Sequence, residues 1–210
     1  MTGLRQLSVL ANRYSAMRHG QSRANAAGLI VSRIETDRGG DYGLTELGRK
    51  QVVTAAQAAP LPAETVICSS DFARARETAQ IVREQLGAAP VELAEALRER
   101  SFGTWDGTTA ANYAHVWAAD VNPPCPDAGV GGTGVESASA VLDRTAAFVL
   151  DLERRYRDRD ILLVSHGDTL QILQAGFQRM DPAAHRRLPE LGTAEIRRLT
   201  LGAPGPAGHG

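Results

Sequence analysis

Two apolar runs at opposite ends of the chain each stop on a histidine followed by a glycine: Ser15-Ala16-Met17-Arg18-His19-Gly20 and Ile161-Leu162-Leu163-Val164-Ser165-His166-Gly167. The second run is unbroken and of strand length, the pattern of a central strand covered on both faces. The first, from Tyr14 to Met17, reads as a shorter strand. In each, the glycine marks a break in the chain after the strand. A fold that buries both must pack helices over a sheet, and the residues between them supply those helices.

Thr45 can cap a helix carrying Leu47, Val52, Ala55 and Ala59, stopped by Pro60 and Pro62. Thr65 to Cys68 reads as a second buried strand. Phe72, Ala75, Ala79, Val82 and Leu86 then recur at helical spacing, with Gly87 placed as a C-cap. Val91 to Leu93 makes a third short strand, Val135 to Tyr156 carries a long helical stripe, and Glu195 to Leu201 reads as a last, edge-like strand. Alternating strands and helices predict an α/β fold, a three-layer sandwich with a mostly parallel central sheet flanked by helices. A length of 210 residues with 43% apolar content suits one domain, expected over residues 1–201. Residues 120–134 are rich in Pro and Gly and are expected to form a mobile surface loop, and the Gly/Pro tail 202–210 is expected to be disordered.

Bulk chemistry narrows the function classes. A formal net charge of −1 without a basic stripe argues against nucleic acid and membrane partners. Of the 23 lysines and arginines only Lys50 is a lysine, so the arginine count alone signals nothing. Cys68 and Cys125 are too few for a disulfide framework or a cysteine-rich metal site, which suits a reducing compartment. No secretory signal or membrane-spanning run is legible, and a cytoplasmic protein is expected.

Ligands of parallel α/β sheets sit beyond the carboxyl ends of the strands, where His19 and His166 are delivered. A lone histidine is more often a satisfied polar residue than a catalyst, but two strand-end His-Gly pairs in one chain weaken that account. The glycines let the backbone approach a ligand closely. Arg18 precedes His19, and Arg74 falls in the first turn of a helix, where the macrodipole disfavours a cation by ~0.3–1 kcal/mol unless an anion binds there. The plain alternative is an ordinary exposed arginine. Its neighbour Arg76 falls on the solvent side.

Four ordered stretches, MRHGQSRAN (17–25), SSDFARARETA (69–79), LRERSFGTWDG (97–107) and VSHGDTLQIL (164–173), together resemble the histidine phosphatase superfamily, also called phosphoglycerate-mutase-like. The resemblance implies that His19 is phosphorylated, that Arg18, Arg74 and His166 bind the phosphoryl oxygens, and that Glu99 is the proton donor. Ser22 and Asn25 match first-motif positions that line the phosphate pocket in relatives, and Gly167 is expected to offer its backbone. It implies no cofactor and a small phosphorylated metabolite as partner, and it leaves the oligomeric state open.

The chemistry agrees with these roles. A neutral imidazole attacks phosphorus, and nearby guanidinium groups disfavour the imidazolium. Glu99 needs a pKa raised toward neutrality to protonate a leaving alkoxide. Without the resemblance it reads as a surface salt-bridge partner, and Asp168 or Asp106 would be the next carboxylates to consider.

A cofactor-dependent phosphoglycerate mutase is the rival within the family. Mutases carry Glu-Arg-His-Tyr-Gly, with a lysine and paired arginines downstream for a second anion. Here Glu99-Arg100-Ser101-Phe102-Gly103 is followed by no lysine, and His115 is the only basic side chain from Gly103 to Asp143. A non-catalytic phospholigand-binding module is the rival from another class, but the chain keeps a candidate nucleophile, clamp and acid. Hydrolysis of phosphate monoesters is therefore the expected activity.

The remaining candidates stay structural. Thr45-Glu46-Leu47-Gly48 suits helix capping and close packing, and Glu136 and Ser137 suit a helix N-terminus. His115, His185 and His209 lack metal-ligand spacing, so no metal site is expected. Trp105, Tyr113 and Trp117 are expected to pack in the core or rim, with a pocket wall as the alternative.

Overall fold

The computed structural model describes residues 3–37, 39–121 and 134–203. Most of the expected 120–134 loop, residues 122–133, and residues 204–210 of the tail lie outside the described residues. The elements in chain order are β1 (Arg13–Arg18), α1 (Arg23–Ala27), α2 (Ile34–Asp37), α3 (Glu46–Ala58), β2 (Val66–Ser69), α4 (Ala73–Leu86), β3 (Glu92–Leu93), α5 (Tyr113–Val121), α6 (Ala138–Arg155), β4 (Asp160–Ser165), α7 (Gly167–Phe177) and β5 (Ile196–Leu199).

The strands form one five-stranded sheet in the order β3-β2-β4-β1-β5. The first four run parallel, and β5 closes the edge antiparallel to β1. The unbroken run of β4 takes the centre, as its apolarity on both faces requires. Ile161 and Leu163 pack into one core with α6 and α7, through residues such as Val141, Val149, Leu170 and Phe177. Leu162 and Val164 point the other way, into a second core with Val52 and Ala56 of α3 and Ala75, Ala79 and Val82 of α4. The sheet is thus the middle of three layers.

Local chemistry sets the helix ends. Gly87 closes α4 in the left-handed conformation at φ 65°, and the Thr45 side chain caps α3 by accepting from Gly48 N at 3.0 Å. The buried row of α3 is Gly48-Val52-Ala56, and Leu47, expected on the apolar face, is 52% exposed. The reason is the packing of the chain after β1. A Cβ on Gly20 would lie 2.6 Å from Gly48 O and 2.8 Å from Val52 Cγ2, and a Cβ on Gly48 would run into the Gln21 backbone. The glycine row therefore turns inward and carries Leu47 out.

Two ends differ from the sequence reading. α5 runs through Asp120 and Val121, which were expected in a loop, because Asp120 is held by the buried Arg100. Gly202, expected to begin the tail, donates to Phe177 O at 2.8 Å and accepts from Arg179 Nε at 2.9 Å. No helix among the described residues is long and apolar enough to cross a membrane.

Candidate active site

β1 and β4 are paired in register, Arg18 opposite Ser165, so the residues after them leave the sheet together. His19 N donates to Ser165 O at 3.0 Å, and the rings of His19 and His166 meet edge to face with centroids 5.2 Å apart. His19 is 3% exposed and His166 fully buried.

The hydrogen bonds fix the proton on the His19 ring. His19 Nδ1 donates to Gly20 O at 2.7 Å, since a carbonyl only accepts, so Nε2 carries the lone pair and receives Arg74 Nε at 3.1 Å. Ser70 Oγ accepts from Phe72 N and lies 2.9 Å from His166 Nε2, to which it can donate when the ring proton is on Nδ1. Burial pushes both histidines well below the ordinary range, and the Arg74 and Arg18 charges add to it. The guanidinium effect anticipated from the sequence is present but second to burial.

Arg74 is 3% exposed, so the surface-arginine alternative fails. Arg76 is exposed as expected. Beyond His19, Arg74 donates through Nη2 to Val31 O at 2.8 Å, and Nη1 lies 3.7 Å from Asp37 Oδ1. Asp37 also accepts from Ala73 N through Oδ2 at 2.6 Å, which caps α4 where Phe72 has no acceptor to offer. Arg18 donates to Leu191 O at 2.9 Å, and its guanidinium lies flat along Gly167, where a Cβ would come 3.3 Å from Cζ. Three buried polar atoms around His19 then remain without a hydrogen-bond partner: Arg18 Nε, Arg74 Nη1 and His166 Nδ1.

Glu99 is 9% exposed and lines a cleft of about 590 Å³. Its Oε1 accepts from Arg100 N at 2.9 Å, Thr169 Oγ1 at 3.1 Å and Thr169 N at 3.2 Å. Burial raises its pKa and the Asp168 charge raises it further, against the pull of Arg74 and the two amides. Phe72 lines the same cleft and touches both inner residues, with its ring 5.2 Å from that of His166 and 4.9 Å from Arg74 Cζ.

His19, His166, Arg18, Arg74 and Gly167 are therefore gathered at one sheet edge, with Glu99 beside them on the cleft. Ser22 and Asn25 are placed differently: they form a capping box on α1, with Ser22 N donating to Asn25 Oδ1 at 3.0 Å and Asn25 N to Ser22 Oγ at 3.1 Å. Neither makes a hydrogen bond to His19, Arg18, Arg74 or His166 among the described residues. Of the fallback carboxylates, Asp106 accepts from Ser32 N, Ser32 Oγ, Arg33 N and Thr36 Oγ1 and so ties down the 32–36 segment. Burial alone would raise Asp168, but the His185 hydrogen bond and the Arg100 charge hold it below the ordinary range.

Several residues were not singled out from the sequence. Ser70 and Thr169 act through ordinary hydroxyls and carried no signal. Asp37 carried an indirect one, because a helix beginning at Phe72 lacks a capping side chain and needs an acceptor from elsewhere. Tyr113 stacks on Trp117 at 5.4 Å and meets Phe102 at 4.8 Å, as packing predicts. Burial raises its pKa, followed by the charge of Glu99, which also places its hydroxyl in the field of the site.

Comparison with known proteins follows the same outline. The histidine phosphatase superfamily (branch 1) matches residues 15–208. A glucosyl-3-phosphoglycerate phosphatase of Mycobacterium tuberculosis is 30% identical over 90% of this chain and 86% of its own. A 2,3-bisphosphoglycerate-dependent phosphoglycerate mutase of Parvibaculum lavamentivorans is 29% identical over 75% of each. Among solved structures, a mycobacterial glucosyl-3-phosphoglycerate phosphatase in complex with VO3 superimposes with a TM-score of 0.69 at 29% identity, covering 89% of this chain and 91% of that one. Agreement over nearly the whole length, in sequence and in fold, makes this chain a member of the histidine phosphatase superfamily.

Proposed function

We propose that the chain is a phosphohydrolase that cleaves phosphate monoesters of small metabolites through a phosphohistidine on His19. The observation that carries this reading is the set of buried, unpartnered atoms, Arg18 Nε, Arg74 Nη1 and His166 Nδ1, around an imidazole whose Nε2 is unprotonated. Buried polar atoms are rarely left without a hydrogen bond, and a phosphoryl group would take one from each arginine and one from His166 with its proton on Nδ1. Attack forms the Nε2–P bond as the bond from phosphorus to the ester oxygen breaks, and Glu99 gives its proton to that oxygen. Water then attacks phosphorus, returns a proton to Glu99 and releases inorganic phosphate and free His19. Arg18, Arg74 and His166 hold the equatorial oxygens throughout. Arg74 must first draw its Nε away from His19 Nε2, since the lone pair that accepts it is the one that attacks phosphorus. The capping box of Ser22 and Asn25 shapes the loop after His19, and the exposed side-chain Nδ2 of Asn25 has no partner among the described residues.

Relatives named for glucosyl-3-phosphoglycerate and for phosphoglycerate support a small, oxygen-rich phosphoester as substrate. The cleft argues against the mutase reading. Of its three arginines, Arg98 is committed to Asp71 and Glu95 and Arg144 to Glu136, which leaves Arg33 against the carboxylates of Glu35, Glu95 and Glu136 on the same wall. That wall would repel a second phosphate more than cradle it.

The test uses EDTA-dialysed protein with p-nitrophenyl phosphate and a panel of phosphometabolites, followed by acid and alkaline quenches. Phosphate release and an acid-labile, base-stable protein label are expected, and His19→Ala should remove both while keeping the native circular dichroism. Persistence of the label in His19→Ala would place the nucleophile elsewhere.

A further inference from the structure

Beside Glu99 lies a buried charge network that the reaction above does not use. Arg100, fully buried, donates through Nη1 and Nη2 to both oxygens of Asp120 at 2.7 and 2.6 Å, and through Nη1 to Asp168 Oδ2 at 3.1 Å. The other oxygen of Asp168 accepts from Trp117 Nε1 at 2.9 Å and His185 Nε2 at 3.0 Å. One guanidinium charge is thus divided between two carboxylates. Asp168 also abuts the proton donor through adjacent residues on both sides. Thr169, next in α7, donates twice to Glu99 Oε1, and Arg100, next after Glu99, donates its amide to the same oxygen.

We propose that Asp168 is a positioning residue for the proton donor, a carboxylate anchored beside Glu99 by Arg100, Trp117 and His185 whose negative charge adds to burial in keeping on Glu99 the proton that the leaving group takes. The inference rests on the reading of Glu99 as general acid. The other groups facing Glu99 leave this role to Asp168. Arg74 of α4 favours the ionised form, but in the substrate complex its charge is met by the phosphoryl oxygens. Arg144 of α6 donates to the Glu99 carbonyl at 3.3 Å and is neutralised by Glu136. Tyr113 of α5 contributes a neutral phenol, its pKa raised by burial. On the cleft side, Arg98 is paired with Asp71 and Glu95, and Arg33 and Glu35, one of each sign, also line the cleft. Asp168 remains as the charged neighbour that favours the protonated acid, and the anchoring by Arg100, Trp117 and His185 explains why it stays ionised when buried.

The sign is definite. Proton donation fails as pH rises through the Glu99 pKa, so removing the Asp168 charge should bring that failure to lower pH. The experiment follows the burst rate against pH for glycerol 2-phosphate, whose alkoxide needs a proton, in wild type, Asp168→Asn and Asp168→Glu. The alkaline limb is expected to move down by about one pH unit in Asp168→Asn and to return in Asp168→Glu. A lower plateau with an unmoved limb would mean that Asp168 only braces the fold, and would overturn the proposal. Should Asp168→Asn not fold, ¹³C titration of the carboxyl groups in wild-type protein decides. Glu99 must then titrate above the ordinary glutamate range with Asp168 already ionised, and the opposite order overturns the proposal. Glu99→Gln separates this inference from its premise. If Glu99→Gln slows glycerol 2-phosphate no more than p-nitrophenyl phosphate, the general-acid reading itself falls.

Discussion

Arg74 serves the nucleophile, the loop and the anion with one guanidinium: Nε meets His19, Nη2 meets the Val31 carbonyl, and Nη1 is left for a ligand. A planar fork does this and an ammonium group does not. Arg74→Lys is therefore expected to lower kcat/KM by about tenfold or more, which corresponds to ~1.4 kcal/mol of transition-state stabilisation. Steady-state kinetics on p-nitrophenyl phosphate would check this, and wild-type values would mean that the arginine does not bind the phosphoryl group. The two histidines and Arg74 were legible because strand ends and a helix start fix where a side chain emerges. The partner atoms were not. Val31 O, Ser70 Oγ and Asp37 are distant in sequence from the residues they hold, and no local pattern marks a carbonyl as an acceptor.

Between elements, the tightest join lies where the chain leaving β1 crosses the first turn of α3. Gly20→Ala would drive a methyl group into the Gly48 carbonyl, which is backbone and cannot rotate away. A loss of about 1–3 kcal/mol is expected, read as a lower urea midpoint with an unchanged slope. The Arg100 network joins α5 and α7 more strongly. Arg100→Met would leave Asp120 and Asp168 buried with their cation gone, and should cost about 3–5 kcal/mol in the same measurement. The strands and helices α3, α4 and α6 came through in the sequence because apolar spacing reports burial directly, whereas α1, α2, α5 and α7 were not read from it. Arg100 did not, since within the charged run Leu97-Arg98-Glu99-Arg100 an ion-paired interior arginine and a solvated one look alike. The outward turn of Leu47 was hidden for a related reason. Helical spacing identifies a face, while the close approach of the Gln21 backbone decides how that face is rotated.

For the molecule as a whole, two histidines held neutral make stability depend on pH. Unfolding returns His19 and His166 to an ordinary pKa of about 6.5, so below that value the unfolded chain binds protons that the folded chain refuses. Each histidine should remove up to about 1.4 kcal/mol of stability per pH unit on acidification, and none above neutrality. Urea titrations between pH 5.5 and 7.5 should show a shallower dependence in His19→Ala than in wild type. That comparison cancels Glu99 and Asp37, which the fold raises and which act with the opposite sign. Equal slopes would show that His19 is not held neutral in the folded protein. The sheet order has a further consequence, for synthesis. β4 separates β1 from the β2–β3 pair yet is the fourth strand in sequence, so on the ribosome β1 and that pair emerge with no central partner to join. The sheet can close only after Ser165 has left the exit tunnel. Until then the nascent chain exposes two apolar edges, and a polypeptide released before that point has the strands of a sheet without its middle.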